Sequence, residues 1–267
     1  MPTTVQAALL GIVQGLTEFL PVSSTAHLLV SERLIGYQDP GGVFTVMIQL
    51  GSILAVMWLY RAKIMEVAAG IPSRAESRRF AVAVLTAFAP AVVAGALLAG
   101  FVKRVLYNTF GVIAVAFIVG GIVMLVAERF RPAPQVHEPD RVPAGGALFI
   151  GSWQMLALIP GVSRSGATMV GGMLAGVDRP AAAEFSFFIA MPTMMAAFAH
   201  DLFEVRHFLT PGRTAEIAVG FVMSFVAAAA VVKPFVAFLK RAGFAPFAWY
   251  RILVGLAMLG AIAGGWI

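Results

Sequence analysis

Six stretches of this chain are long and apolar enough to cross a hydrocarbon core, and nothing else in the sequence restricts its fold so strongly. They run from Val43 to Tyr60, Ala81 to Phe101, Thr109 to Ala127, Glu184 to Ala199, Ile217 to Val232 and Phe244 to Ile267. A bilayer crossing takes roughly 20 apolar residues, with a usual range of about 17 to 25. The fourth stretch is short and begins on a charge, so it is the weakest of the six. Only 12% of the residues are charged, where a soluble domain has about 25%. Membrane β-strands do not fit, because a barrel strand alternates polar and apolar residues over about 10 positions and these runs do not alternate. The chain therefore reads as an all-α integral membrane protein whose solvent is the bilayer.

The first 20 residues carry no Lys or Arg, and Gln14 and Glu18 interrupt their apolar run. A cleaved signal peptide has neither property, so Met1 is expected to stay near the mature terminus. The chain has no cysteine, which removes disulfides and thiolate metal sites. Its net charge of +6 sits in short loops between apolar runs. Anionic lipid headgroups, not nucleic acid, are the expected partners of those loops.

The most polar stretch, Glu128 to Arg141, lies near the middle of one continuous membrane domain spanning 1–267 and separates two related halves, about 1–130 and 140–267. Shifted by 140 positions (151 − 11), Gly11, Gln14, Leu16, Val22, Ser23, Val30, Leu34 and Gly36 fall on Gly151, Gln154, Leu156, Val162, Ser163, Val170, Leu174 and Gly176. The weight lies on Gln and Ser coinciding with the helix breakers, since Gly, Val and Leu match often by accident. Each copy is apolar, then broken by Pro21 or by Pro160-Gly161, then polar, then apolar again. Polar backbone at membrane depth is tolerated only inside protein or around a wet cavity. Two broken segments at corresponding places predict paired re-entrant helical hairpins, as in transporter-like repeats. With three crossings per half, the odd number makes the two repeats inverted in topology.

Both broken segments concentrate reactive side chains. Gln14 and Glu18 are four residues apart and share a helix face; Ser23, Ser24, Thr25 and His27 come after Pro21. Taken alone, Glu18 is compatible with a structural carboxylate paired to Arg or a hydroxyl, and His27 with an interhelical hydrogen bond. Together they form a cluster that a membrane segment would carry for function. The second segment reads Pro160-Gly161-Val162-Ser163-Arg164-Ser165-Gly166-Ala167-Thr168. Its glycines allow close backbone approach, its hydroxyls donate, and a helix start aims free N–H groups at an anion. Arg164 adds a planar fork suited to phosphate oxygens. Ser-Arg-Ser also makes ordinary turns, but between two apolar helices it reads as an anion site.

Blander readings suit the remaining intramembrane polar residues. Gln49 and Ser52 read as interhelical hydrogen-bonding groups. Lys233-Pro234 marks a kink or helix end, with the lysine snorkelling. Met191 to Met195 reads as packing, and Asp201 and Glu204 as a solvated loop. Arg251 is equally compatible with phosphate binding and with structural pairing.

The two motifs together resemble the bacterial undecaprenyl-pyrophosphate phosphatase family. Gln14 to His27, with its Phe19-Leu-Pro-Val-Ser-Ser-Thr25 core, resembles the family's first signature, and Pro160 to Thr168 its second. Glu184-Phe-Ser-Phe and Phe247-Ala-Trp-Tyr-Arg-Ile252 are similar to further family segments. The resemblance implies a polyprenyl pyrophosphate substrate, a divalent cation (Mg²⁺ or Ca²⁺), an active site drawn from both repeats and residence in the bacterial plasma membrane. Many relatives carry Glu where this chain has Gln14, so Gln14 and Glu18 supply one carboxylate to a metal instead of two, and the ion would rest mainly on substrate phosphates.

On this reading Arg164, Ser163, Ser165, Thr168, Ser23 and Thr25 hold the pyrophosphate. Ser24 is the candidate nucleophile, His27 the base, and Glu18 a metal ligand or orienting group; attack by water or by His27 would use the same residues. The alternative is a polyprenyl-phosphate transporter or flippase with the same central anion site, and a third reading is a non-catalytic assembly partner. Loop charges predict the topology. Arg61, Lys63, Arg74, Arg78, Arg79, Arg129, Arg131, Arg141, Arg179, Lys240 and Arg241 fall on one side, and Arg33, Lys103, Arg104, Arg206 and Arg213 on the other. The positive-inside rule puts the larger set in the cytoplasm, so both termini and the Gly36 to Gly42 loop face outward, as would a site that recycles lipid on the outer side.

Overall fold

In the computed structural model the described residues are 3–105, 109–208 and 210–265. Met1, the last two residues of the sixth predicted run, and the side chains of Phe101, Lys103 and Arg104 lie outside them. Eleven α-helices occur among the described residues: α1 Thr3–Thr17, α2 Ser24–Ile35, α3 Val43–Leu59, α4 Arg61–Gly70, α5 Ala75–Val105, α6 Phe110–Phe130, α7 Ala144–Gln154, α8 Arg164–Leu174, α9 Arg179–Val205, α10 Thr214–Ala242 and α11 Ala245–Ala263. No strand is formed among them.

Six helical stretches are long and apolar enough to span a membrane: Pro40–Leu59, Ala75–Leu98, Phe110–Phe130, Arg179–Val205, Thr214–Ala242 and Ala245–Ala263. Each matches one predicted run, and the protein is a multi-pass membrane protein. The fourth and fifth lengthen most, because their helices extend past the apolar cores, the fourth into Arg179 and Glu204 and the fifth into Lys240 and Arg241. Asp201 and Glu204, read from sequence as a loop, therefore stand on the last turns of α9. Pro234 likewise falls inside α10 and not at its end.

The two broken segments are helix–break–helix units. In the first, α1 ends at Thr17 and α2 begins at Ser24; in the second, α7 tightens into a 3₁₀ turn, Met155–Leu158, and α8 begins at Arg164. The starts of α2 and α8 differ by 164 − 24 = 140, the offset of the sequence match. Equivalent glycines also serve equivalent ends. A Cβ on Gly11 would collide with the backbone of Gly220 on α10, and one on Gly151 with that of Ala87 on α5.

Residue contacts divide the chain into two compact units. The first comprises Met1–Leu20, Ser24–Met65 and Ala190–Phe235. Its core gathers Ala7, Leu10, Leu28, Tyr37, Phe44, Ile48 and Ile217. Ser52 and Ser224 hydrogen-bond across α3 and α10 at 2.7 Å, and Ser224 also reaches the carbonyl of Ile48; Ser52 is thus the interhelical group its sequence position indicates. Asp39 starts α3 by accepting from the amides of Phe44 (2.9 Å) and Thr45 (2.8 Å), and Arg213 joins Asp39 to Glu216. The second unit comprises Pro21–Ser23, Glu66–Ile189 and Val236–Ile267. In its core Phe80 packs edge to face on Phe188 and at a tilt on Phe185. Glu128 ties α6 to Arg179 and accepts from the amide of Phe244.

Glu32, at the end of α2 and outside the six spans, has its pKa pushed up to about 7 by burial and by the charge of Asp39. A carboxyl with a raised folded-state pKa favours the folded state most when protonated, below its unfolded value of 4.5, and that stabilisation is lost as pH rises through about 7. Glu32→Gln is accordingly expected to raise the thermal midpoint at pH 8 and to leave it unchanged at pH 4, measured in one detergent.

Candidate active site

The chain leaves α1 because Pro21 cannot continue a helix, and it enters α2 through Ser23, whose φ of 66° is the single positive value at a non-glycine among the described residues. Such a conformation costs of order 1–3 kcal/mol and survives only where the surroundings enforce it. Here the strain turns the chain so that Ser24 opens α2. Ser24 Oγ donates to Glu18 Oε2 at 2.6 Å, and Gln14 Nε2 donates to the same oxygen at 2.9 Å. Gln14 is fully buried and Glu18 and Ser24 nearly so. His27 is half-buried, three residues after Ser24 and thus on the same face of α2, and Thr25 is also half-buried.

One acceptor in this set is unused. Gln14 Oε1 is buried and has no hydrogen-bond partner, which is costly unless something donates to it or coordinates it. An amide oxygen beside a carboxylate and a hydroxyl is an all-oxygen donor set of the kind that Mg²⁺ and Ca²⁺ take. The residues present therefore fit a hard divalent cation, with a single carboxylate among them.

The second break is shaped by Gly161, whose φ is 90° and whose hypothetical Cβ would lie 2.8 Å from the carbonyl oxygen of Ile113 on α6. Only glycine fits that turn against α6. The chain then rises through Ser163, which caps α8: its Oγ accepts from the amide of Gly166 at 3.1 Å and meets Ser165 Oγ at 2.9 Å. Arg164 is half-buried and reaches the carbonyl of Ser186 at 3.4 Å. Thr168 differs from its neighbours. Its buried hydroxyl lies within reach of the carbonyls of Arg164 (3.0 Å) and Ser165 (3.1 Å) and of Ser186 Oγ (2.6 Å), so it braces the loop from behind. Ser186, in the Glu184-Phe-Ser-Phe segment, is a site-supporting residue that motif reading did not single out; its signal was only that segment's family likeness.

Arg251, left open by the sequence, is resolved by its partners. It is 1% exposed and donates to the carbonyls of Pro21 (3.2 Å), Ala116 (3.0 Å) and Gly161 (3.0 Å), with its guanidinium over the ring of Phe117. One side chain thus holds the first break, the second break and α6. Pro21 also lies behind the anion loop, with its Cβ 3.4 Å from where a Cβ on Gly166 would stand.

The family model for Bacitracin resistance protein BacA matches residues 7–257. The chain belongs to the BacA family. Its curated relatives match end to end. The undecaprenyl-diphosphatase of Cereibacter sphaeroides is 49% identical over 98% of this chain and 98% of its own. Undecaprenyl-diphosphatase 1 of Agrobacterium fabrum is 49% identical over 97% and 96%, and the undecaprenyl-diphosphatase of Paracoccus denitrificans 46% over 98% and 98%. Both breaks, Arg251 and the six spans fall inside the stretch matched to BacA, apart from the last turns of α11, and only the first turn of α1 precedes it. The names of the family and of these relatives refer to resistance and hydrolysis, and the transport alternative gains no support from them.

Gly161→Ala tests the second break in this BacA protein. The added Cβ meets both a left-handed backbone and the Ile113 carbonyl, so the variant is expected to lose about 1–3 kcal/mol or more of stability, read as a lower thermal midpoint. Gly111→Ala, where an added Cβ meets nothing within 4 Å, should leave the midpoint in place.

Proposed function

We propose that this chain hydrolyses the phosphoanhydride of undecaprenyl or a similar polyprenyl pyrophosphate, giving the lipid monophosphate and inorganic phosphate. The reading rests on end-to-end similarity to proteins named undecaprenyl-diphosphatase. The observation that carries its chemistry is the 2.6 Å hydrogen bond from Ser24 to Glu18, a hydroxyl already directed at a base.

Arg164 and the hydroxyls of Ser163 and Ser165 bind the pyrophosphate with backbone N–H groups of the α8 start, aided by Ser23 and Thr25, and Thr168 keeps the loop in shape. These donors stabilise charge on the transferred phosphoryl group. Ser24 Oγ attacks the terminal phosphorus while its proton passes to Glu18. The bond to the bridging oxygen breaks, and the electron pair leaves with the lipid phosphate. His27 then takes a proton from water, which attacks the phosphoserine and releases phosphate, and Ser24 regains its proton from Glu18. A bound Mg²⁺ or Ca²⁺, held by Glu18 and Gln14 Oε1, would add positive charge beside the phosphates.

Pro21–Ser23 belongs to the same compact unit as the second motif. Re-entrant hairpins and inverted repeats are part of this proposal, supported by the 140-residue offset of both sequence and helix starts. So are the plasma membrane and a site opening to the outer side, which rest on the family likeness; the loop charges and the positive-inside rule support only the outward placement of the termini. Hydrolysis there would recycle the lipid carrier for cell-wall synthesis and underlie bacitracin resistance.

Purified protein in detergent with a polyprenyl pyrophosphate should release phosphate in the presence of Mg²⁺ or Ca²⁺, and chelation should abolish it. Ser24→Ala and His27→Ala should each lower the rate by 100-fold or more, on the order of residues acting as a unit, with little further loss in the double variant. Arg164→Lys keeps charge without the fork and should lose most activity while staying folded. A parent-like rate in Ser24→Ala would exclude Ser24 as the attacking group, and a parent-like rate in Arg164→Lys would remove Arg164 from the site.

A further inference from the structure

Within the second unit, a groove of about 720 Å³ runs along α6 and α8, inside the range of roughly 300–1,000 Å³ usual for small-ligand sites. Its walls include Val115, Val119 and Val123 on α6, Ile159 before the second break, and Ala167 and Val170 on α8. The three valines recur at four-residue steps and form one stripe. Apolar residues dominate the lining, yet it also takes in Ser163, the cap of the anion loop, and Arg251, the buried cation that fastens the breaks. Val115 and Val119 are 52% and 51% exposed, so the groove is open along its α6 side.

We infer that this groove binds the first prenyl units of the substrate, which leave the pyrophosphate at Ser163 and track along the valine stripe of α6 before the chain passes into the bilayer. The inference rests on the phosphatase reading for the position of the headgroup. Its own ground is continuity. A ligand with one anionic end and a long branched apolar chain matches a groove that reaches Ser163 in the second break and is otherwise lined mainly by apolar residues. The stripe from Val115 to Val123 is about 12 Å long at 1.5 Å per residue, so it holds only the units nearest the phosphate.

Because the chain lacks cysteine, Val119→Cys and Ile122→Cys give single reporters on one helix. Both positions are about half exposed, and only Val119 lines the groove. Modification by an apolar maleimide is monitored in detergent with undecaprenyl phosphate, inorganic pyrophosphate or the uncharged polyprenol. Undecaprenyl phosphate is expected to slow modification at position 119 at least tenfold, with the other two additives changing it less than twofold and position 122 responding to none. Equal protection at both positions, equal protection by polyprenol, or no protection at 119 would overturn the inference. In parallel, Val119→Trp should raise KM for polyprenyl pyrophosphate about tenfold with kcat within twofold, and Ile122→Trp should change neither. An unchanged KM in a folded Val119→Trp protein would also overturn it. The two readings fail separately: protection at 119 in a parent protein that releases no phosphate retains the groove and rejects the phosphatase, whereas phosphate release without protection does the reverse.

Discussion

Arg251 donates to three backbone carbonyls that belong to separate parts of the chain: Pro21 in the first break, Gly161 in the second and Ala116 on α6. The two breaks need such a partner for a definite reason. A chain that leaves a helix where water does not reach exposes carbonyls that must find a donor within the protein. A guanidinium carries five N–H donors in a fixed plane and can serve several carbonyls at once. The same contacts orient the reactive residues beyond each break, since Pro21 leads through strained Ser23 into Ser24, and Gly161 leads through Val162 into the Ser163 cap. Both breaks thus share one buried side chain that is remote from each in sequence.

That arrangement also has an electrostatic consequence. Among the described residues no carboxylate pairs with Arg251, so its charge is offset by carbonyl dipoles and the Phe117 ring. A buried cation met only by dipoles favours anions in its surroundings. It therefore adds to the field of Arg164 and the α8 start on the second break. The other motif has the opposite character. Gln14 and Ser24 both donate to one oxygen of Glu18, while Gln14 Oε1 remains an unused acceptor. Donors of positive potential thus gather at one motif, and a carboxylate with a spare amide oxygen beside it at the other. A pyrophosphate and a divalent cation require those two kinds of environment.

Much of this was legible in the sequence because membrane crossings and helix breaks have local causes. Six charge-poor runs became six spans, and Pro21 and Pro160-Gly161 broke the helices where they stand. The repeat offset carried through to helix starts because matched breakers fix matched boundaries. Ser24 and Glu18, six residues apart, stand in one motif, although their hydrogen bond was not read from it. What stayed hidden was non-local. Arg251 sits 230 residues from Pro21, and an arginine on an apolar helix reads the same whether it meets a phosphate or a carbonyl. Ser186 looks like any small residue on α9 until Thr168 is seen against it. The end of α9 was misplaced for a different reason: a helix continues past its apolar core when nothing breaks it, so Asp201 and Glu204 are helical despite their charge.

Hydrogen–deuterium exchange compared between the parent protein and Arg251→Met tests most directly whether one guanidinium fastens both breaks. Amides around Pro21–Ser24 and around Ile159–Gly166 are expected to exchange faster together, by at least tenfold, while α10 between Phe221 and Ala230 keeps its parent rate. Acceleration at one break alone, or at neither in a folded variant, would contradict it.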